Sequence, residues 1–241
     1  MVSEADPATS TRDTLWGGDL VFWQPARGAG YRFNLDPVLL SGFVRPAARI
    51  LDLGSGCGIL PVLLLAQNKA QRVHGVEVQA QLAAFAALNA AENGFSERII
   101  AQQGDLRSVA LPTVDTVVFN PPYFRVGEGR SAPDPGREIA RRERHGTLED
   151  FVRRGLDALN DGGALCCIVR IDREDELVSH VHSHGGRVLR LRQVRSRDEA
   201  EPRHVMLEAR RAATGCCREE PPLVVHDGDG YSAEVRALLR Q

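Results

Sequence analysis

The chain has 241 residues, 43% of them hydrophobic, and a formal net charge of −2. That content suffices for one sizeable core, and no stretch approaches the roughly 20 apolar residues of a membrane span. Near-neutral overall charge does not advertise a polyanionic partner, so any such partner must be read from local charge. Met1 to Asp13 are polar and mixed and lack the apolar run of a signal peptide, which predicts a disordered tail over residues 1–15 of a cytoplasmic protein, with a single domain over 16–241. The five cysteines lack C-x-x-C spacing and imply neither a disulfide framework nor a zinc site, so no metal is expected.

The first chemical signal is Ile50-Leu51-Asp52-Leu53, an apolar strand that breaks into Gly54-Ser55-Gly56-Cys57-Gly58 and enters an apolar segment, Ile59 to Ala66. Strand, glycine loop and helix in that order suit a nucleotide-like ligand, because glycines let backbone N–H groups approach it without interference from Cβ. The G-x-G-x-G spacing is neither the dinucleotide fingerprint nor a Walker loop. Asp52 would sit badly beside a pyrophosphate and well beside a cationic group.

Arg72 to Glu77 reads as a second strand ending in an acid placed to accept ribose hydroxyls; the plain alternative is a solvated cap. Leu82, Phe85 and Leu88 recur at helical spacing and mark a half-buried helix that ends near Asn93-Gly94. After the strand Arg98 to Gln103, Gly104-Asp105 offers an acid for an adenine amino group, although Gly-Asp is also common turn chemistry.

Val117-Val118-Phe119 then runs into Asn120-Pro121-Pro122-Tyr123. The Asn oxygen and a neighbouring carbonyl can accept both hydrogens of an amine, the prolines fix the turn, and Tyr can stack on a ring. Read blandly, the same residues are a rigid strand-to-loop turn. Directly beyond, Arg125, Arg130, Arg137, Arg141, Arg142 and Arg144 stand among glycines and prolines, either gripping phosphates or pairing with Glu128, Asp134, Glu138 and Glu143.

A helix is predicted from Leu148 to Asn160, ending before Gly162-Gly163, and a strand from Ala164 to Ile171 containing Cys166-Cys167. His180, His182 and His184 fit a surface helix better than a metal site. Arg187 to Val194 and His204 to Arg211 read as an antiparallel pair at one edge, and Cys216-Cys217 as loop residues. Alternating strands and helices imply an α/β, doubly wound, mostly parallel sheet.

Taken together, these motifs resemble the S-adenosylmethionine-dependent methyltransferases of the Rossmann-like class I. Residues 52–58 match their first motif, Glu77 their ribose acid, Asp105 their adenine-side acid, and Asn120-Pro121-Pro122-Tyr123 the motif of the amino-group methylators. Phe33-Asn34-Leu35-Asp36-Pro37-Val38-Leu39-Leu40, Ala140-Arg141-Arg142-Glu143 and the run from Pro202-Arg203-His204-Val205 to Tyr231-Ser232 are similar to the bacterial tRNA (adenine-N6) methyltransferases, which modify an anticodon-loop adenine of a valine tRNA. The similarity runs through nearly the whole chain from about Trp16.

This resemblance implies a seven-stranded, mostly parallel sheet with a reversed edge strand, and S-adenosylmethionine as cofactor. It places Asp36, Asp52, Gly54, Ser55, Gly56, Gly58, Glu77, Val78, Asp105 and Asn120 on the cofactor, with Phe33 and Asp36 closing the pocket. It makes Asn120, Pro121, Pro122 and Tyr123 the catalytic turn, puts Phe124, Arg125, Arg130 and Arg141 on the substrate side, and makes an RNA, tRNA, the partner. Related Asn-Pro-Pro-Tyr enzymes methylate protein glutamine or bases of DNA or ribosomal RNA, and a small-molecule amine methylator or a non-catalytic binding module is also compatible. A glutamine methylator carries a helical N-terminal domain, for which about 45 residues before the glycine strand are too few.

Overall fold

The computed structural model of the chain describes residues 10–26, 32–121 and 146–241. A hairpin, β1 (Ser10–Leu15) and β2 (Leu20–Pro25), opens it. The strand β1 replaces the expected tail over 10–15; residues 1–9 lie outside the described residues. The hairpin is followed by α1 (Asp36–Phe43), β3 (Ala47–Leu53), α2 (Ile59–Ala66), β4 (Ala70–Glu77), α3 (Ala80–Glu92), β5 (Ile99–Gln103) and β6 (Val114–Phe119). Beyond residue 145 come α4 (Leu148–Asp157), β7 (Leu159–Arg170), α5 (Glu174–Ser183), β8 (Gly186–Arg195), β9 (Pro202–Arg211), β10 (Arg218–Val224), the short pair β11 (His226–Asp227) and β12 (Gly230–Tyr231), and α6 (Ala233–Leu239).

The main sheet has eight strands in the order β10-β8-β9-β7-β6-β3-β4-β5. All pairings are parallel except those of β9, which runs against both β7 and β8. The reversed strand is therefore interior, not at the edge, and the strand count exceeds the expected seven. The extra strand is β10, whose Pro221 and Pro222 hide it from a sequence reading. Proline is tolerated on an edge strand, and the β10–β8 register shifts between Glu220 and Leu223, across the two prolines.

Alternation along the strands sends side chains to two cores. Ile50 of β3 joins one, with Leu39 of α1, Leu63 of α2, Phe85 of α3 and Val235 of α6. Leu51 and Leu53 join the other, with Phe151 of α4 and Val181 of α5. Covered on both faces, the parallel strands read as continuous apolar runs instead of alternating ones.

The helix α4 starts at Thr147, whose hydroxyl accepts from Asp150 N–H at 3.2 Å while its own N–H donates to the Asp150 carboxylate at 3.0 Å. That reciprocal cap fixes the start. The helix ends at Asp157, three residues before the expected Asn160, because Leu159 already pairs with Val114 in the sheet. Gly155 lets α4 approach β7 closely: a Cβ there would lie 2.7 Å from Leu165 Cδ1.

Candidate cofactor and acceptor site

Parallel register brings distant residues to one edge of the sheet. Leu53 stands opposite Phe119 on one side and Val76 on the other, and Glu77 stands opposite Gln103. One residue further along, Gly54 and Asn120 therefore leave adjoining strands, spaced by roughly 4.8 Å. From β3 the chain builds outward through β4 and β5, then returns to place β6 and β7 on the other side. The gap between the ends of β3 and β6 is thus a topological switch point, where sheets of this class bind ligands.

The glycine loop is held by backbone bonds. Gly54 and Ser55 N–H donate to Val76 C=O at 2.8 and 3.1 Å, and Gly58 N–H donates to Ser55 C=O at 2.9 Å. Gly54, Gly56 and Gly58 have φ of 73°, 54° and 78°, values that suit glycine. Space is short as well: a Cβ on Gly58 would lie 3.0 Å from Ala86 Cα, and one on Gly54 3.1 Å from the Phe151 ring.

Glu77, 6% exposed, accepts Gly56 N–H through Oε2 at 3.0 Å and Gln79 N–H through Oε1 at 2.9 Å. An ionised carboxylate accepts about four hydrogen bonds, so capacity remains for sugar hydroxyls. Asp52 differs. It is 2% exposed, and its Oδ2 has no hydrogen-bond partner among the described residues. Burial first, and the Glu77 charge second, push its carboxyl up to about 8. A buried carboxyl with one unpaired oxygen beside a glycine-rich loop fits a ligand with a cationic end, because such a ligand would favour the ionised form and supply the missing hydrogen bond. The residues present thus fit S-adenosylmethionine.

Asp105 lies two residues past β5 and is clasped by Arg107, whose Nε reaches Oδ1 at 2.9 Å and whose terminal nitrogen reaches Oδ2 at 2.6 Å. This fork holds the Asp105 carboxyl below its usual range. Asn120 is half-buried and Pro121 buried at the end of β6, and Val78 is half-buried after β4. Asp36 is buried at the start of α1 beside Asn34, whose side-chain oxygen accepts Asp36 N–H at 3.1 Å. Phe33 packs on Phe22 with ring centroids 5.9 Å apart. Pro122, Tyr123, Phe124 and the arginines from Arg125 to Arg144 lie outside the described residues.

The histidines stand at the end of α5, where His180 lies 3.8 Å from Glu176 and His184 lies 3.2 Å from Glu149. Among the described residues no group of three metal-capable side chains converges, and no helix is long and apolar enough to cross a membrane. Cys166 and Cys167 are buried in β7, and burial pushes the Cys166 thiol up to about 12.

Sequence reading missed the hairpin and its grip on the site. Arg32 is bound to Asp13 at 2.9 Å and to Pro25 C=O at 2.6 Å, and Gln24 accepts Phe33 N–H at 3.2 Å. Two asparagines one turn apart, Asn89 on the buried face of α3 and Asn93 at its C-cap, were the available signal.

Comparison with known proteins bears on the same residues. The chain matches the family model described as Methyltransferase small domain over residues 36–177. A tRNA1(Val) (adenine(37)-N6)-methyltransferase of Porphyromonas gingivalis is 32% identical over 218 residues, covering 85% of each chain. One from Tolumonas auensis is 31% identical over 212 residues, covering 86% of this chain and 87% of the relative. Among solved structures, a predicted O-methyltransferase from Agrobacterium tumefaciens superposes with a TM-score of 0.67 at 23% identity, covering 85% of this chain and 95% of that one. Methanocaldococcus jannaschii Trm5 in complex with adenosine superposes at 0.61 and 17% identity, covering 86% and 57%. These structural likenesses concern the fold. With the family match over residues 36–177 and relatives above 30% identity along most of its length, the chain belongs to the methyltransferase small-domain family and is an S-adenosylmethionine-dependent methyltransferase of the Rossmann-like class.

Proposed function

We propose that the chain methylates the N6 amine of an adenine in tRNA. The observation that carries this reading is the adjacency of Asn120 and the glycine loop on neighbouring strand ends, with the unsatisfied Asp52 beside the loop. The relatives above 30% identity are tRNA1(Val) (adenine(37)-N6)-methyltransferases, which supports adenine N6 and tRNA as the target.

When bound, S-adenosylmethionine supplies an electrophilic methyl group on a sulfonium. The glycine loop offers backbone N–H groups, Asp52 faces the cationic end, Glu77 accepts ribose hydroxyls, and Asp105 lies on the adenine side. Asn120 Oδ1 and the Pro121 carbonyl accept the two amine hydrogens, so the nitrogen lone pair is aimed at the cofactor side of the turn. Both oxygens also favour the positive charge that develops on nitrogen, and positioning with such preorganised acceptors supplies the rate. Tyr123 and Phe124 provide a stacking surface for a base taken out of its stack. Arg125, Arg130 and Arg141, on the substrate side of the turn, would contact phosphate.

The test is nucleoside mass spectrometry of tRNA incubated with the purified chain and methyl-labelled cofactor. Labelled N6-methyladenosine is expected. Label found only in protein or in small amines overturns the reading.

A further inference from the structure

Asn89 of α3 is fully buried, at 0% exposure. Its Oδ1 accepts Trp23 N–H at 2.6 Å, and its Nδ2 donates to Trp23 C=O at 2.9 Å and to Cys57 C=O at 2.8 Å. One turn later Asn93 repeats the first half of this pattern on Val21, accepting its N–H at 2.9 Å and donating to its C=O at 2.7 Å. Two amides on one helix face thus read alternate residues of β2 and take the place of a further strand. Only Asn89 also reaches the glycine loop.

That extra bond falls on a sensitive peptide. The Cys57–Gly58 unit ends on Gly58, at φ 78°. Its N–H donates to Ser55 C=O at 2.9 Å, and its C=O accepts from Asn89. The peptide plane is therefore pinned from both sides. Without Asn89 this unit loses one of the two bonds that oppose a flip, and Gly58 permits the flip because glycine populates both signs of φ.

We infer that Asn89 is a positioning residue for the cofactor: it ties the register of the N-terminal hairpin to the shape of the glycine loop. The same hairpin holds the segment leading into α1, through Gln24 to Phe33 and through Asp13 to Arg32. One element therefore braces both expected walls of the cofactor site. This inference rests on the glycine loop as the cofactor cradle.

The test compares Asn89→Ala and Asn89→Ser with Asn93→Ala, which loosens the same hairpin while sparing the loop. S-adenosylmethionine affinity is measured by calorimetry, alongside melting temperature and kcat at saturating cofactor. All three variants should melt lower than wild type. The Asn89 variants should bind the cofactor about tenfold more weakly than Asn93→Ala, the order expected for one buried hydrogen bond. Their kcat at saturation should stay close to that of Asn93→Ala. Equal cofactor affinity in the Asn89 and Asn93 variants overturns the positioning role. So does failure of both Asn89 variants to fold where Asn93→Ala folds, which makes Asn89 a folding residue. If wild type binds no S-adenosylmethionine, the cofactor assignment itself falls and takes this inference with it.

Discussion

Asp52 and Glu77 are buried carboxylates on adjacent strands in opposite conditions: Glu77 accepts two backbone N–H groups, whereas Oδ2 of Asp52 accepts none among the described residues. The difference sets their chemistry. Glu77 shapes the loop, and its charge adds to burial in holding Asp52 protonated up to about 8. A cationic ligand end should reverse this by favouring the ionised form. At about pH 7, cofactor binding should therefore release a proton, and affinity should rise with pH until it levels off beyond about 8. Calorimetry in buffers of different ionisation heat measures the proton directly. Asp52→Asn should remove the release and weaken binding strongly from a starting Kd of about a micromolar, or roughly 8 kcal/mol.

The same carboxyl carries an opposite consequence for the protein without cofactor. Its folded pKa of about 8 lies above the ordinary value of 3.8, so the folded chain holds a proton that the unfolded chain has lost. The stabilisation this gives is complete below the ordinary value and disappears as pH climbs through the folded one. Thermal melts of wild type and Asp52→Asn should consequently diverge as pH rises from about 4 to about 8, with wild type falling relative to the variant, and run parallel above about 8. Curves parallel throughout would show that Asp52 does not titrate in this range.

Asn120 separates clamp from core. It follows a fully buried strand end, Phe119, yet is itself only half-buried. Asn120→Ala should lower kcat by more than about a hundredfold, the range for losing one preorganised polar group. Melting temperature and cofactor affinity should hardly move. A variant that unfolds, or one that retains turnover, would make the residue structural.

Gly58 and Gly94 distinguish a backbone requirement from a packing one. Both have positive φ, 78° and 74°, but a Cβ on Gly58 would lie 3.0 Å from Ala86 Cα, whereas nothing lies within 4 Å of one on Gly94. Gly94→Ala should cost only the left-handed conformation, about 1 kcal/mol. Gly58→Ala adds a clash with the α3 backbone and should cost about 2–3 kcal/mol. It should also weaken cofactor binding, because Gly58 closes the glycine loop as the N-cap of α2. Urea unfolding of both variants gives the comparison.

The legible parts of the molecule are those where one residue type answers one local demand. Gly54, Gly56 and Gly58 announce a left-handed loop, and the strands ending in Leu53, Glu77 and Phe119 are read directly from their sequences. What escaped is set by tertiary context. Strand β10 contains two prolines that only an edge position tolerates, and β1 is so polar that it reads as a tail until it pairs with β2. The interior place of β9 depends on pairing partners far apart in sequence, Leu165 with Ala209 and Val188 with Ala209. The role of Asn89 is not legible locally because its two partner residues, Trp23 and Cys57, lie 66 and 32 positions away.

The arginines beyond Asn120 remain a matter of sequence, and salt dependence separates their two roles. If Arg130 and Arg137 contact phosphates, replacing both by Gln should weaken tRNA binding and flatten the slope of log affinity against log salt. The slope should fall by about 1 to 2 units, since each lost contact leaves about one counterion unreleased. Cofactor affinity should be unchanged, because the proposed cofactor contacts, the glycine loop and Glu77, belong to other strands. If the arginines pair with Glu128, Asp134, Glu138 and Glu143 instead, the pairs are worth little individually. Stability would then shift slightly and the salt slope would stay constant. A filter-binding series on wild type and the double variant decides between them. An unchanged slope would eliminate these two residues as phosphate contacts and would turn attention to an acceptor smaller than RNA.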